Sequence, residues 1–142
     1  MINIDNNFSM RILPSGQLEA SVKIAGGQQS NQTYRSDLTD NHWHHVAYSY
    51  DGAYGHYLYI DGNLEAQGIS APVTFDGNSG RALIGNDADT NTNLRFRGWL
   101  DEVRIYDRFL DEDEIAGLTD FSGHLYWTGE ATAPGDYGYS SN

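Results

Sequence analysis

Apolar and polar residues alternate along much of the first half of the chain. In residues 18–24 (LEASVKI) the apolar side chains hold the even positions, and Glu19, Ser21 and Lys23 hold the odd ones. A period of two predicts a strand with one buried face and one solvated face. Residues 26–32 are polar and are predicted as a loop. Similar apolar runs predict further strands at residues 8–13, 34–38, 43–50, 56–60, 81–84 and 124–128, and within 96–106.

Two of these runs end in Asp-Gly, which indicates a tight turn because glycine accepts the positive φ that such turns need. Residues 43–50 precede Asp51-Gly52, and residues 56–60 precede Asp61-Gly62. The pattern predicts a central hairpin that residues 63–69 continue. The aspartates of these turns, and Asp76 before Gly77, are interpreted as turn caps that accept backbone hydrogen bonds.

One short helix is predicted near the C-terminal end. Asp111 is placed as its N-cap, with Glu114 completing a capping box. Leu110 and Ile115 have the spacing of a hydrophobic staple. Gly117 is predicted to end the helix.

The composition agrees with an all-β domain. The chain has 142 residues, 16 glycines, ten tyrosines and no cysteine, so neither a disulfide nor a thiolate metal site is possible. Its net charge of −12 repels phosphate backbones and argues against a nucleic-acid partner. No apolar run is long enough to enter and span a bilayer, and the first residues lack the pattern of a signal peptide. Many short strands with one small helix predict a β-sandwich.

Two blocks of the sequence resemble a known family. Residues 42–62 (HWHHVAYSYDGAYGHYLYIDG) and residues 97–118 (RGWLDEVRIYDRFLDEDEIAGL) are similar to laminin-G-like and pentraxin-like domains of the concanavalin A-like lectin/glucanase superfamily. The resemblance implies an all-β jelly-roll sandwich with one short C-terminal helix. We predict a domain over residues 1–128, and the Gly, Ser and Ala content of residues 129–142 predicts a flexible tail.

The resemblance has one large departure, because domains of this family carry further strands before the one that residues 8–13 match. Either the chain is a minimal sandwich, or it is part of a larger domain. A sandwich that lacks strands exposes unpaired edges. We therefore predict a homo-oligomer that covers this edge.

The acidic loop after Gly85 is the candidate metal site. It is similar in position to the pentraxin loop that presents oxygens to calcium, and the resemblance implies Ca²⁺ as a cofactor. Asp87 and Asp89 would supply carboxylates and Asn91 an amide oxygen, as a hard cation requires. The alternative interpretation is a plain solvated loop.

Sugar contacts are predicted near this loop and at one exposed turn. Asn86 and Asn93 are polar candidates for contacting a saccharide. Tyr54 and Tyr57 lie at or beside the first Asp-Gly turn, where an aromatic ring is available for stacking on a sugar. Three other aromatic residues of the predicted central hairpin are instead expected in the core or on the sheet surface: Trp43, Tyr48 and Tyr59.

The other polar residues of interest are interpreted as structural. Strand alternation puts His42 and His44 on one face and His45 on the other, so no local three-histidine metal centre is expected. His56 is placed across the hairpin, within possible reach of these histidines. Asp101 shares parity with the apolar positions of its predicted strand and is expected to point inward.

These observations predict a non-catalytic binding module, with a glycan or glycosylated surface as partner and calcium as a possible aid. No catalytic residues are assigned, because the paired carboxylates of the glucanase relatives have no matching run here. The alternatives left open are a protein-interaction or adhesion module and a structural fragment without a ligand. The resemblance implies an extracellular or cell-surface location.

Overall fold

A computed structural model describes residues 2–4, 7–32, 38–69, 72–74, 81–85, 95–119, 126–127 and 139–140. The elements in chain order are β1 (Ile2–Ile4), β2 (Phe8–Ile12), β3 (Leu18–Ile24), β4 (Gly27–Gln32), β5 (Val46–Tyr50), β6 (Gly55–Ile60), β7 (Asn63–Ile69), β8 (Ala82–Ile84), α1 (Glu112–Gly117), β9 (Tyr126–Trp127) and β10 (Tyr139–Ser140). The fold is mostly β, with two main antiparallel sheets and one short helix, as predicted.

The larger sheet has five strands in the order β4-β3-β2-β1-β8, and the smaller sheet has the order β5-β6-β7. The predicted central hairpin is β5–β6, and β7 continues it antiparallel to β6. The second hairpin turn places both Asp61 (φ 50°) and Gly62 (φ 78°) in the left-handed region. This geometry matches the right-handed twist of a two-residue hairpin, which explains the Asp-Gly pair.

The core lies between the two sheets. Leu18 and Ala20 of β3 pack against Leu58 and Ile60 of β6, and all four are almost fully buried. The period-two pattern of β3 therefore faces the smaller sheet, as the alternation predicted. These contacts join the two layers into a sandwich.

The helix packs on the opposite face of the smaller sheet. Leu110 and Ile115 form a second buried cluster with Tyr59 of β6. Glu114 N–H donates to the Asp111 side chain (2.9 Å), and the Glu114 carboxylate accepts from Asp111 N–H (3.1 Å). The predicted capping box is confirmed, and the helix ends at Gly117.

A buried serine connects this helix to the sheet. The Ser49 hydroxyl donates to the Leu110 carbonyl (2.8 Å) and accepts from the Leu110 N–H (3.3 Å). Both residues are buried, so one side chain satisfies both backbone groups of Leu110. This contact fixes the start of α1 on β5.

Several predicted boundaries are wrong. Residues 27–32 form the strand β4 rather than a loop, because an edge strand needs ladder bonds to one neighbour and tolerates a polar sequence. The short strand β1 pairs with both β2 and β8 and was not predicted. The hairpin strand begins at Val46 rather than Trp43.

The strand predicted within residues 96–106 does not form. Residues 95–111 are irregular, and Glu102 has a positive φ of 48° that breaks an extended run. Asp101 is exposed and accepts a hydrogen bond from the Glu102 N–H (2.8 Å) instead of pointing inward. The local side-chain hydrogen bond of Asp101 favours a turn, and the strand that the alternation of Val103 and Ile105 predicts therefore does not form.

The odd-numbered face of β3 is less solvated than predicted. Glu19 is only 5% exposed and pairs with Arg11, its cross-strand partner on β2. The distance between Arg11 Nη2 and Glu19 Oε1 is 2.8 Å. A buried carboxylate requires such a partner, which the single-strand pattern cannot reveal.

Near the C-terminal end, β9 lies within the predicted strand 124–128, and β10 pairs with it antiparallel. The pairing joins the predicted domain to residues assigned to the tail. The predicted strand at 34–38 and the Asp76 turn fall mainly outside the described residues. In the part of the chain that the structure describes, no helix is long and apolar enough to span a membrane.

Candidate functional site

An open groove of about 820 Å³ lies on the described surface. Three segments that are distant in sequence line it: residues 11–14, residues 38–43 apart from Asp40, and residues 95–99. The first segment ends β2, the second precedes β5, and the third follows β8. The volume lies within the usual range of ligand sites, about 300–1,000 Å³.

Two indole rings line this groove. Trp43 is 53% exposed and Trp99 is 76% exposed. Large aromatic side chains gain much from burial, so exposure of both in one concavity is unusual for a surface without a ligand. Trp43 was expected in the core or on a sheet surface; it instead precedes the strand and lies at the groove.

A network of aspartates and histidines holds the segment that carries Trp43. His44 Nδ1 lies 2.9 Å from Asp61 Oδ2, and His44 Nε2 lies 3.2 Å from Asp40 Oδ1. Asp61 also accepts a hydrogen bond from His45 N–H (3.0 Å). The turn between β6 and β7 is thereby tied to both residues that follow Trp43.

Within this network, Asp40 and His44 each stabilise the charged form of the other. A hydrogen bond from His42 N–H is the main cause that lowers the pKa of Asp40 to about 2. Partial burial works to lower the pKa of His44, but hydrogen bonds with Asp61 and Asp40 outweigh it and raise the pKa above its ordinary value. Burial lowers the pKa of His45, whose Nδ1 has no partner among the described residues.

The third segment is anchored at its start. Phe96 N–H donates to the Gly85 carbonyl (3.0 Å), so the start of residues 95–99 is held at the residue that directly follows β8. The Phe96 ring lies against Gly98, where a Cβ atom on residue 98 would come within 2.8 Å of two ring carbons. Glycine at 98 therefore permits a close approach of this ring just before Trp99.

The groove is lined by polar groups between its aromatic residues. Arg95 and Arg97 are exposed in the third segment, and Arg11 lies in the first segment, on β2. Asn41 and His42 contribute an amide and an imidazole from the second segment. No carboxylate is found among the described residues that line the groove.

The tyrosines predicted to bind sugar lie elsewhere. Tyr54 is 56% exposed in the β5–β6 turn, at the opposite end of that hairpin from Trp43. Tyr57 is half-buried, and its ring packs 5.9 Å from that of Phe109. Neither residue lines the groove.

Asp51 caps the turn that carries Tyr54, as predicted. Its Oδ1 accepts hydrogen bonds from the backbone N–H groups of Ala53, Tyr54 and Gly55 at 2.8–3.0 Å. These bonds, with that of Ala53 the largest cause, lower the pKa of Asp51. The Asp61 side chain instead bonds to His44 and His45, which directly precede β5.

The remaining predicted site residues fall outside the described residues. These are the metal candidates Asp87, Asp89 and Asn91 and the polar candidates Asn86 and Asn93. Over the described ranges, no group of three or more potential ligands could hold a metal ion. His56 is fully buried and packs between Tyr48 and Tyr50, with the Tyr48 hydroxyl bonded to its Nδ1.

The sequence interpretation missed Trp99, Arg95 and Arg97 as candidates. They follow the acidic loop, and Arg97 and Trp99 lie in the range 96–106 that was predicted to contain a strand. The available signal was composition: residues 95–99 hold two of the chain's eight lysines and arginines and one of its three tryptophans.

Comparisons with known proteins identify the architecture. Residues 2–116 match the Laminin_G_3 family, described as part of the concanavalin A-like lectin/glucanases superfamily. None of the curated proteins compared with the chain matches it. A crystal structure of part of an S-layer domain-containing protein from Clostridium thermocellum ATCC 27405 is similar, with 27% identity and a TM-score of 0.51. The match covers 84% of this chain and 61% of the other, so the chain spans less than two thirds of that structure.

Proposed function

The chain belongs to the concanavalin A-like lectin/glucanase superfamily, and on this premise we propose that it is a non-catalytic module that binds a saccharide in the groove. The observation that carries the proposal is the exposure of Trp43 and Trp99 in one concavity. Superfamily membership supports a binding role but names no ligand, because one fold serves many functions.

The chemistry of the groove suits a sugar chain. An indole ring offers a flat apolar face to the C–H groups of a pyranose, while polar groups beside it meet the hydroxyls. The Asn41 amide provides both a hydrogen-bond donor and an acceptor for sugar hydroxyls. His42 and Arg95, which are 53 positions apart in the sequence, line the same groove and add polar groups to it. An open groove rather than a closed pocket is suited to a polymer.

A binding role without catalysis is supported by the residues that line the groove. Glycoside hydrolysis requires two carboxylates that flank the scissile bond. The described lining has arginine, histidine and asparagine side chains but no acid. The chain is therefore proposed to hold its saccharide unchanged.

Calcium and location are parts of the proposal that rest on the family. Asp87, Asp89 and Asn91 remain the residues that would hold a calcium ion. The similar structure comes from an S-layer domain-containing protein, which supports a cell-surface location for this chain. The proposed partner is accordingly a glycan or a glycosylated surface.

A glycan array tests the proposed function directly. The wild-type protein is screened with calcium and again with EDTA, beside the variants Trp43→Ala and Trp99→Ala. Tyr54→Ala is the matched control, because Tyr54 is an exposed aromatic residue outside the groove. We expect both tryptophan variants to lose binding and the control to retain it.

The arms of the array separate the parts of the proposal. Loss of binding in EDTA supports a calcium-assisted site. Binding that survives EDTA contradicts the role of calcium but supports the saccharide site. Binding that depends on Tyr54 rather than on the tryptophans contradicts the groove. Absence of binding to every glycan contradicts the proposed function.

A protein-interaction role is the second candidate, and a separate observation favours it. Several large apolar side chains of the irregular segment 99–109 are exposed. They are Trp99, Leu100, Val103, Ile105, Tyr106 and Phe109. Exposed apolar surface of this kind is typical of interaction sites.

Light scattering at several protein concentrations tests the predicted homo-oligomer. Ile105→Asp is expected to weaken association. A monomer at all concentrations contradicts the predicted homo-oligomer.

A further inference from the structure

The charge of the groove is opposite to that of the whole chain. The net charge is −12, from 20 acids and eight lysines and arginines. Three of those basic residues, Arg11, Arg95 and Arg97, line the groove, and no acid is among its described lining residues. The nearby carboxylate of Asp40 is paired with His42 (3.1 Å) at the edge of the groove, away from the segment that carries Arg95 and Arg97 in the sequence. A local concentration of positive charge on an acidic protein attracts an anion to that position.

Two of the three arginines form no ion pair with any residue that the structure describes. Arg11 pairs with Glu19, and outside the groove Arg104 pairs with Glu102 (2.6 Å). Arg95 and Arg97 are exposed, and no carboxylate in the described part of the chain pairs with either one. Their guanidinium groups are therefore available to a ligand.

The position of these arginines connects charge to sugar stacking. Arg95 and Arg97 alternate with Phe96 along the segment that leads to Trp99. The hydrogen bond from Phe96 N–H to the Gly85 carbonyl holds this segment beside the end of β8. A sugar stacked on the Trp99 indole would thus lie beside a guanidinium carried by the same short stretch of chain.

Building on the proposed saccharide site, we propose that its ligand is an acidic polysaccharide whose carboxylates bind Arg95 and Arg97. A guanidinium presents two parallel N–H groups that match the two oxygens of a carboxylate. The net charge of −12 disfavours a densely charged polyanion, because the rest of the surface repels it. A polymer with one carboxylate on a sugar ring satisfies both conditions.

The test compares ligands that differ only in charge. Hexamers of galacturonate and of mannuronate are titrated calorimetrically against the whole chain, each beside its carboxyl-reduced neutral counterpart. The variants are Arg95→Gln and Arg97→Gln. Arg81→Gln is the control, since Arg81 is exposed, has the same charge and does not line the groove.

We expect an acidic hexamer to bind at least about tenfold more tightly than its neutral form, as loss of a charge-assisted hydrogen bond implies. Each groove variant should lose about tenfold in affinity for the acidic ligand, while Arg81→Gln stays within about twofold. Raising the salt concentration should weaken acidic binding because exposed charges are screened. Thermal melts confirm that each variant is folded.

Other results overturn this inference in distinguishable ways. Equal affinity for acidic and neutral hexamers, or tryptophan-dependent binding of neutral glycans alone, removes the carboxylate contact but leaves the saccharide site intact. Tighter binding of dextran sulfate than of either uronate hexamer contradicts the carboxylate assignment. Absence of binding to the hexamers and to the whole glycan array overturns both proposals.

Discussion

Replacing Ser49 with alanine removes the side chain that joins β5 to the start of α1. The hydroxyl contacts both the carbonyl and the N–H of Leu110, which lies 61 positions away in sequence. Alanine fits the same space but offers neither a donor nor an acceptor. Two backbone groups of a residue that is only 8% exposed would then lack a partner.

The cost follows from the burial of those two groups. A buried polar group that loses its partner costs about 1–3 kcal/mol. Because Phe109 and Asp111 on either side are exposed, water can reach part of this site, and we expect about 2 kcal/mol in total. That is a large share of the roughly 5–15 kcal/mol that stabilise a domain, yet the variant should fold.

Urea unfolding measures this difference. We expect the midpoint to fall with an unchanged slope, since the surface exposed on unfolding is the same. The melting temperature should fall by roughly 6 °C, at about 3 °C per kcal/mol for a chain of this size. Hydrogen exchange should show lost protection at the Leu110 amide, because this amide donates to the Ser49 hydroxyl in the wild type.

Ser15→Ala is the matched control. Ser15 is exposed and its hydroxyl contacts the neighbouring Gln17 side chain (2.9 Å), so its loss should change stability by less than about 0.5 kcal/mol. If Ser49→Ala is no more destabilising than Ser15→Ala, the connection between β5 and α1 is refuted. Unchanged exchange at Leu110 would refute it independently.

Three further predictions follow from the core, the helix cap and the histidine network. Leu58→Ala, in the core between the sheets, should cost about 3 kcal/mol in urea unfolding, whereas Leu64→Ala at a 38% exposed position should cost far less; similar losses would contradict the sandwich core. Asp111→Ala should cost about 1 kcal/mol and Asp113→Ala little, because Asp111 caps α1; equal effects would contradict the cap. His44→Gln should destabilise more at pH 5.5 than at pH 8.5. The raised pKa of His44 means that its stabilisation is complete below the unfolded value of 6.5 and is lost as pH rises through the folded value. His45 has a lowered pKa and acts with the opposite sign, so the comparison uses the variant against wild type at each pH; a difference that does not change with pH would contradict this network.

The elements that could be predicted from sequence are those whose causes are local. The capping box of Asp111 and Glu114 lies within four residues, and both partners form the expected bonds. The Asp61-Gly62 turn follows from the positive φ that glycine accepts. The alternation of residues 18–24 predicted β3 with its bounds unchanged.

The failures occurred where a distant partner or a competing local bond decides the structure. A polar run became β4 because β3 supplies its ladder. The alternating run after Trp99 stayed irregular because Asp101 and the positive φ of Glu102 form a local turn. The alternation of apolar and polar residues shows neither whether a neighbouring strand is present nor whether a local turn is favoured.

The groove could not be predicted for the same reason. Its three segments lie up to 88 positions apart, from Arg11 to Trp99, and are brought together only in the folded chain. Trp43 and Trp99 each fit a strand pattern when they are considered separately. What marks them as a candidate site is their joint exposure, which is a property of the folded chain.

The most direct test of the groove is a nitrogen–proton NMR titration that follows the three tryptophan indole N–H signals. Each signal is assigned with a Trp→Phe variant, and the ligand is a saccharide that binds in the glycan array. The signals of Trp43 and Trp99 should move with the same affinity, and that of Trp127 should remain in place. Shifts confined to Trp127, or binding that leaves both groove signals unmoved, would contradict the central claim.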